Sequence, residues 1–425
     1  MIKILKYGEV ENSRIFSRAV PQAEVGSVVR EIIRDVRENG DTALYKYCEK
    51  FDKASLTSLS VSKGEIDEAI SKTDKEFIKI LEESADNIRQ FHSRQKRDGF
   101  RIEKENGVII GQKILPVNCA GLYVPGGTAA YPSTVLMDAI PAKIAGCKNV
   151  VMVTPPSADG TVNPAILAAA SVAGVDRIFK VGGAQAIAAL AYGTESIPKA
   201  DKIVGPGNAF VAEAKRQVYG EVSIDMIAGP SEIMIVADKN NNPRYLAADM
   251  LSQAEHDKLA TAVLITDSYA LATAVADEIE KQLPELLRSE IARASIDNNS
   301  KIIVTDNLDT AVELANEIAP EHLELCVDDP FYLFDKIENA GSVFLGRNCP
   351  EALGDYFAGT NHTLPTSGTA KFSSPLSVDD FIKKTQFTYY TKEALDEVAA
   401  KVALFAETEG LTAHAKSAII RTEDK

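Results

Sequence analysis

The chain has 425 residues, 45% hydrophobic and 25% charged, which is long enough for two to four domains with real cores. Its formal charge of −15 and the lack of any broad basic stripe argue against a nucleic-acid partner and suit a cationic small molecule. No apolar run approaches the roughly 20 residues that span a bilayer, and the first seven residues, Met1 to Tyr7, hold no apolar core for export.

From Val25 to His92 the chain reads as helices, with Val28, Val29, Ile32, Ile33 and Val36 at helical spacing. His92 sits among Arg94, Lys96 and Arg97 and reads as a solvated surface residue. Arg101–Glu105 and Val108–Ile110 flank Asn106-Gly107, a strong hairpin signal.

From Gly121 onward strand, turn and helix alternate. Strands at 121–124, 150–153, 177–181 and 202–204 are followed by helices from about Ser133, Pro164, Gly183 and Asn208. A similar order recurs with strands at 233–236, 262–265, 301–304 and 342–345, and helices to about Ala254, Gln282 and Ile318. Pro132 and Pro243 occupy matching places, as do the strands at Val151 and Ala262. The fold class is therefore α/β: two duplicated, incomplete Rossmann-like parallel-sheet units plus small N-terminal and C-terminal extensions. Ligands are expected beyond the carboxyl ends of the strands. After Pro375 two helices, near Leu395–Phe405 and Leu411–Ile420, form a tail too short to fold alone.

The cysteines are Cys48, Cys119, Cys147, Cys326 and Cys349, an odd set with no C-x-x-C pair. They read as reduced thiols in a cytoplasmic protein.

Four further histidines stand near carboxylates or amides. In Ala319-Pro320-Glu321-His322, proline favours a helix start and restricts Ala319 to extended geometry, which puts Glu321 and His322 at a loop-to-helix junction. His322 suits a general base, and Glu321 an activator of water or an orienter of the ring. A capped helix start with a surface histidine fits the same residues. Gln253 and His256 are three apart near a helix end and face one direction, as metal ligands or as a polar terminus. Asp355 and His362 fall in a segment where Gly354, Gly359 and Pro365 predict a tight loop. Glu409 and His414 converge only if Gly410 breaks the helix between them. The turns Gly126-Gly127, Gly182-Gly183 and Gly205-Pro206-Gly207 follow strands and suit an anion, or are plain βα turns. None completes G-x-G-x-x-G, since Phe210 takes the third position after Gly205 and Gly207, so a nicotinamide cofactor would bind in a modified way.

Together these motifs resemble the histidinol dehydrogenase family over almost the whole chain. The resemblance is carried by Gly121–Gly127, Gly182–Ala186, Gly205–Val211, Ala228–Glu232, Gln253–His256, Ala319–Glu324, Gly359–His362 and Leu411–His414. It implies an NAD-dependent, two-step, four-electron oxidation of L-histidinol to L-histidine through enzyme-bound L-histidinaldehyde, at the end of histidine biosynthesis. It implies one zinc per subunit on Gln253, His256, Asp355 and His414, with manganese or cobalt as possible substitutes. Those four, with Ser231, His322, His362 and Glu409, would contact the substrate. Tyr123, Gln185 and Asn208 would contact NAD, and Glu321 and His322 would be the bases. It implies a homodimer in which Glu409 and His414 complete the partner's site. The expected organisation is an arm (1–20), a first α/β domain carrying the metal and catalytic residues (21–120 with 236–372), a second on the NAD side (121–235) and a helical tail (373–425). A zinc-dependent hydrolase using Glu321 to activate water, and a non-catalytic small-ligand binding protein, are the competing readings.

Overall fold

In the computed structural model, residues 2–18, 25–126 and 130–423 are described; Gly127 of the first glycine turn lies outside them. The chain divides into two compact units, Met1–Gln95 with Val117–Phe381, and Lys96–Pro116 with Ile382–Lys425.

The first unit begins with strand β1 (Lys3–Lys6), the short helix α1 (Asn12–Ile15) and three longer helices, α2 (Gly26–Tyr47), α3 (Lys63–Lys72) and α4 (Lys75–Ser93). Ser62 and Glu65 cap α3 reciprocally, and Asp74 caps α4. The chain then passes through β2 (Phe100–Glu103) and β3 (Ile109–Pro116) of the second unit and returns at β4 (Cys119–Tyr123). Next come α5 (Pro132–Ala145), β5 (Asn149–Thr154), α6 (Pro164–Ala173), β6 (Arg177–Lys180), α7 (Gly183–Tyr192), β7 (Lys202–Val204), α8 (Ala209–Val218) and β8 (Ser223–Ile224). Pro132 and Pro164 sit where a missing N–H costs nothing, and Gly146 and Gly174 end both helices in the left-handed region. These strands form a parallel sheet in the order β6-β5-β4-β7-β8.

The pattern then repeats as β9 (Glu232–Ala237), α9 (Pro243–Ala254), β10 (Thr261–Thr266), α10 (Tyr269–Gln282), α11 (Ser289–Asn298), β11 (Lys301–Val304), α12 (Leu308–Ile318), β12 (His322–Cys326), α13 (Pro330–Phe334), β13 (Ser342–Leu345) and α14 (Glu351–Tyr356). Its parallel sheet runs β1-β11-β10-β9-β12-β13. With β1 set aside, each sheet places its first strand centrally, steps outward through the second and third, then reverses to the fourth and fifth. The shared order bears out the duplicated unit. The central strands are buried along their length and mostly apolar, with Glu232 at the start of β9 and threonines at the ends of β10 as exceptions.

Two expected groupings are corrected. Helices α2, α3 and α4 do not accompany the strands after residue 236; they cover the five-stranded sheet. Val29, Ile32, Ile33 and Val36 of α2 pack against the alanine-rich face of α7, where small side chains let the helices approach closely, and α3 and α4 lie with α5 and α6 on the other face. Residues 3–6 of the expected arm form an edge strand paired with β11. His92 is also not solvated: it is fully buried on the inner stripe of α4, with Nδ1 2.7 Å from Gln95 and Nε2 3.5 Å from Asn361. Its charged neighbours follow the end of the helix, where the periodicity that governs His92 no longer applies.

At the carboxyl ends of β9 and β12 stand Asp238 and Asp328. Arg347 spans them, with Nη2 at 2.7 and 2.6 Å from the Asp238 oxygens and 2.8 Å from Asp328. Beside this bridge the carboxyl ends keep an open cleft of about 480 Å³, lined by Asp238, Asn240, Asp267, Asp328 and Tyr332.

In the second unit β2 and β3 form the expected hairpin, closed by Gly107 at φ +80°. The strand β14 (Ile382–Tyr389), unforeseen in the sequence, pairs with β3, and helices α15 (Lys392–Thr408) and α16 (Thr412–Glu423) pack together. All five cysteines are free. Among the described residues no helix is long and apolar enough to cross a membrane.

Candidate active site

Glu321 and His322 stand at the entrance to a strand, not at a helix start. Helix α12 ends on Ala319, which takes the left-handed conformation (φ 51°, ψ 66°) instead of the expected extended one. That conformation also avoids the clash between a right-handed residue and a following proline. Pro320 leads straight into β12, whose neighbour is β9. The backbone of one residue at the start of β9 holds the pair: the N–H of Glu232 donates to Glu321 Oε2 at 2.8 Å, and the Glu232 carbonyl lies 3.0 Å from His322 Nδ1.

Asp355 reaches the same place from a short helix, α14, where a loop was expected. Glu324 accepts the Glu351 N–H at 2.9 Å and so holds the helix start, and the apolar ring of Phe344 packs where a side chain at Gly354 would stand. Glu351 and Asp355, four apart, share a helix face and meet His322 Nε2 at 3.7 and 3.8 Å. His322, Glu351 and Asp355 offer ligand atoms all within 4.8 Å of one another. Gln253 is fully buried beside them; in the amide orientation its neighbours require, it donates to Glu351 at 2.7 and 3.2 Å, which turns its oxygen away from that carboxylate. His256 follows the end of α9, its N–H bonded to the Gln253 carbonyl at 3.2 Å. Ser231 immediately precedes Glu232.

His362 links Asp355 to the five-stranded half. Its Nδ1 lies 3.2 Å from the Asp355 carbonyl, and its Nε2 3.2 Å from the Thr134 hydroxyl on α5.

Burial and charge oppose each other throughout this cluster. Burial lifts Glu321 to about 8 and Glu351 to about 7. Burial also works against a charged His322, but Glu351, Glu321 and Asp355 outweigh it and hold the imidazole well above its ordinary value. Burial would raise Asp355, yet the neighbouring imidazoles of His322, His362 and His256 keep it below the usual range. Burial lowers His256 and His362.

These residues lie at the amino ends of the six-stranded sheet, against the expectation for a parallel sheet. The five-stranded sheet obeys that expectation. Beyond its carboxyl ends opens a cleft of about 580 Å³, lined by Tyr123, Gln185 and Asn208 together with Gly126 and Gly183. Tyr123 ends β4, and its hydroxyl accepts the Gly183 N–H at 3.1 Å. Gln185 lies in the first turn of α7, and Asn208 caps α8 by accepting from Phe210 and Val211.

Glu409 and His414 lie in the second unit. Gly410, at φ +79°, does break the helix, ending α15 at Thr408 with Glu409 as its C-terminal cap; His414 is in α16, and both side chains are exposed. Glu351 and Glu232 were missed in the sequence. The four-residue spacing of Glu351 and Asp355 was an available signal, hidden by Gly354; the role of Glu232 belongs to its backbone and has none.

The sequence model of the histidinol dehydrogenase family matches residues 17–422. The chain belongs to the histidinol dehydrogenase family. It is 52% identical over 426 residues to a histidinol dehydrogenase of Clostridium acetobutylicum, covering 99% of both chains. It is 54% identical over 420 residues to one of Bacillus thuringiensis, covering 99% of this chain and 96% of that protein. The crystal structure of histidinol dehydrogenase from Elizabethkingia anophelis superposes with a TM-score of 0.94 at 41% identity, covering 100% of this chain and 99% of that one. The activity is therefore that of a histidinol dehydrogenase, an NAD-dependent oxidoreductase of histidine biosynthesis. The hydrolase and binding-module readings fall with that assignment.

Proposed function

We propose that the cluster around His322 carries both oxidations, L-histidinol to an enzyme-bound aldehyde and the hydrated aldehyde to L-histidine. The observation that carries this reading is the pair of contacts from the Glu232 backbone, its N–H to Glu321 and its carbonyl to His322, which holds the two side chains side by side. A carbonyl only accepts, so Nδ1 of His322 bears a proton and Nε2 is the nitrogen left to exchange one with the substrate. Nε2 is buried without a hydrogen-bond partner, an arrangement that favours a proton arriving from substrate. The carboxylates Glu321, Glu351 and Asp355 stabilise the imidazolium so formed. Glu321, lifted toward neutrality, is suited to remove a proton from water for the second step.

Gln253, His256 and Asp355, with His414 from a second copy of the chain, would hold zinc. The donor chemistry fits a borderline dication: a carboxylate held acidic, an imidazole kept neutral by burial, and an amide oxygen turned away from Glu351. Zinc supplies a fixed anchor for the imidazole and amine of histidinol, and NAD supplies the hydride acceptor. Ser231 and His362, with Glu409 from the second copy, would complete the substrate's surroundings, and Tyr123, Gln185 and Asn208 would hold the nucleotide. The working form is then a homodimer with shared sites, placed in the cytoplasm, where its free thiols stay reduced.

The test is NADH formation from L-histidinol in the purified protein, after chelation and after zinc is restored. Two NADH per histidinol, lost on chelation and recovered with zinc, is the expected result. Full activity in the chelated protein would overturn the metal assignment.

A further inference from the structure

The cleft beyond the five-stranded sheet has one wall that the catalytic reading leaves unused. Helix α2 ends in a single π-helical turn, Cys48–Asp52, closed by Lys53 in the left-handed region at φ 60°. Such turns recur where a helix serves a site. Here it sets Phe51 and Asp52 on the lining of the cleft. Phe51 is half exposed, and its ring is stacked flat on Tyr47 at 5.5 Å, so its position is fixed. Asp52 differs from the other acids near the cleft. Its Oδ2 is buried and meets no hydrogen-bond partner, and burial pushes the acid up to about 6.

An orphaned buried oxygen destabilises the fold unless a ligand satisfies it. An ionised carboxylate offers acceptors only, so that ligand must bring donors. Doubly wound sheets that bind NAD usually place an acid at the end of the second strand, where it receives the ribose hydroxyls. In this sheet the second strand is β5, and it runs into Pro155, Pro156, Ser157 and Ala158. The first acid beyond it, Asp159, spends one oxygen on Thr161, accepting from its N–H at 3.0 Å and its hydroxyl at 2.7 Å. The strand end that lines the cleft, Pro155 to Ala158, therefore carries no acid, whereas Asp52 brings one into the same cleft from the helical layer.

We propose that Asp52 receives the vicinal hydroxyls of the adenosine ribose of NAD and excludes the 2′-phosphorylated nucleotide, NADP. A ribose diol supplies two O–H donors to one carboxylate. A 2′-phosphate would replace a donor by a dianion facing an anion in a partly buried wall. Phe51, next in sequence, offers the adenine a fixed apolar surface at the rim. The proposal rests on the reading of this cleft as the nucleotide site.

The experiment compares Asp52→Asn, Asp52→Ser and Ser157→Trp in the zinc-loaded enzyme, with NAD and NADP as alternative acceptors. In the Asp52 variants KM for NAD rises roughly ten- to hundredfold, the range expected for losing hydrogen bonds to a charged group. The loss falls on KM more than kcat, and the NADP-to-NAD ratio of kcat/KM rises at least about tenfold in Asp52→Ser. An acid with a purely structural role would move the unfolding midpoint and leave that ratio alone, which would overturn the proposal. Ser157→Trp fills the cleft without touching Asp52 chemistry and raises KM for either nucleotide. If it does not, the cleft reading fails together with the proposal. If it does while the Asp52 variants keep the wild-type ratio, only the role of Asp52 fails.

Discussion

His322 and Glu351 approach each other to 3.7 Å without a hydrogen bond between them, and the facing imidazole nitrogen, Nε2, is left unpartnered. The ring is oriented instead from behind, by the Glu232 carbonyl at 3.0 Å. A ring gripped at one nitrogen and open at the other is arranged to take a proton. His322→Ala should slow the first oxidation by about 10²–10⁴-fold, the usual span for a general base. Zinc content should stay at the wild-type level. Single-turnover NADH formation and metal analysis check the two parts, and loss of zinc would move His322 from the bases to the ligands.

Glu321 is held by the Glu232 N–H as His322 is by the Glu232 carbonyl, but it is assigned to the second step. Glu321→Gln keeps the shape and can no longer deprotonate water. With limiting histidinol, NADH per substrate should fall from about two toward one as hydration fails. Equal slowing of alcohol and aldehyde oxidation would argue against the division of labour.

Glu409 and His414 flank the glycine-broken corner of α15 and α16 with exposed side chains. If they complete a second copy's site, then His414→Ala and Glu321→Gln chains, each impaired in forming histidine, should recover part of the wild-type rate of histidine formation in mixed dimers. One of the two sites in such a dimer carries neither defect. No recovery, with mixed dimers demonstrated by mass, would assign the site to one chain.

Gly205 ends β7 with φ +114°, and a Cβ there would stand 2.1 Å from the Tyr123 carbonyl. Gly205→Ala must therefore displace the end of β4 that carries Tyr123. The expected cost is about 1–3 kcal/mol of stability with a raised KM for NAD. Thermal unfolding and steady-state kinetics read both, and an unchanged KM would detach this turn from the nucleotide.

The bond from Lys46 holds Asp35 down to about 2, against 3.8 for an unperturbed aspartate. A carboxyl with a lowered folded value stabilises the protein fully above its unfolded value and loses that contribution as pH falls from about 4 through about 2. Asp35→Asn should thus lower the unfolding midpoint near neutral pH and make little difference near pH 2. The effect is small, since the pair is near the surface. A constant difference across that range would contradict it.

The alternating strands and helices, the duplication and most of the reactive side chains were legible because each leaves a local mark: an apolar run, a proline at a helix start, a histidine beside an acid. What escaped was set by contacts distant in sequence. Helices α2–α4 carry apolar stripes that would suit either sheet, and only packing against α7 and α5 decides. His92 is polar by composition and buried by its place on α4. Pro320 permits a helix start or a strand entry, and pairing of β12 with β9 selects the second. Asp355 sits on a helix despite Gly354 because the helix start is held by Glu324, 27 residues earlier.

On the proposed reading the chain has one doorway for dinucleotide, the cleft beyond the five-stranded sheet, although its duplicated half keeps a cleft of about 480 Å³ beside the Arg347 bridge between Asp238 and Asp328. Two hydrides must nevertheless depart. Spent carrier has to vacate before a fresh one arrives, and the half-oxidised amino aldehyde must outlast that exchange. The tether proposed for it, on Asp355, His256 and Gln253, uses none of the residues that line the cleft, so exchange of the carrier would leave it in place.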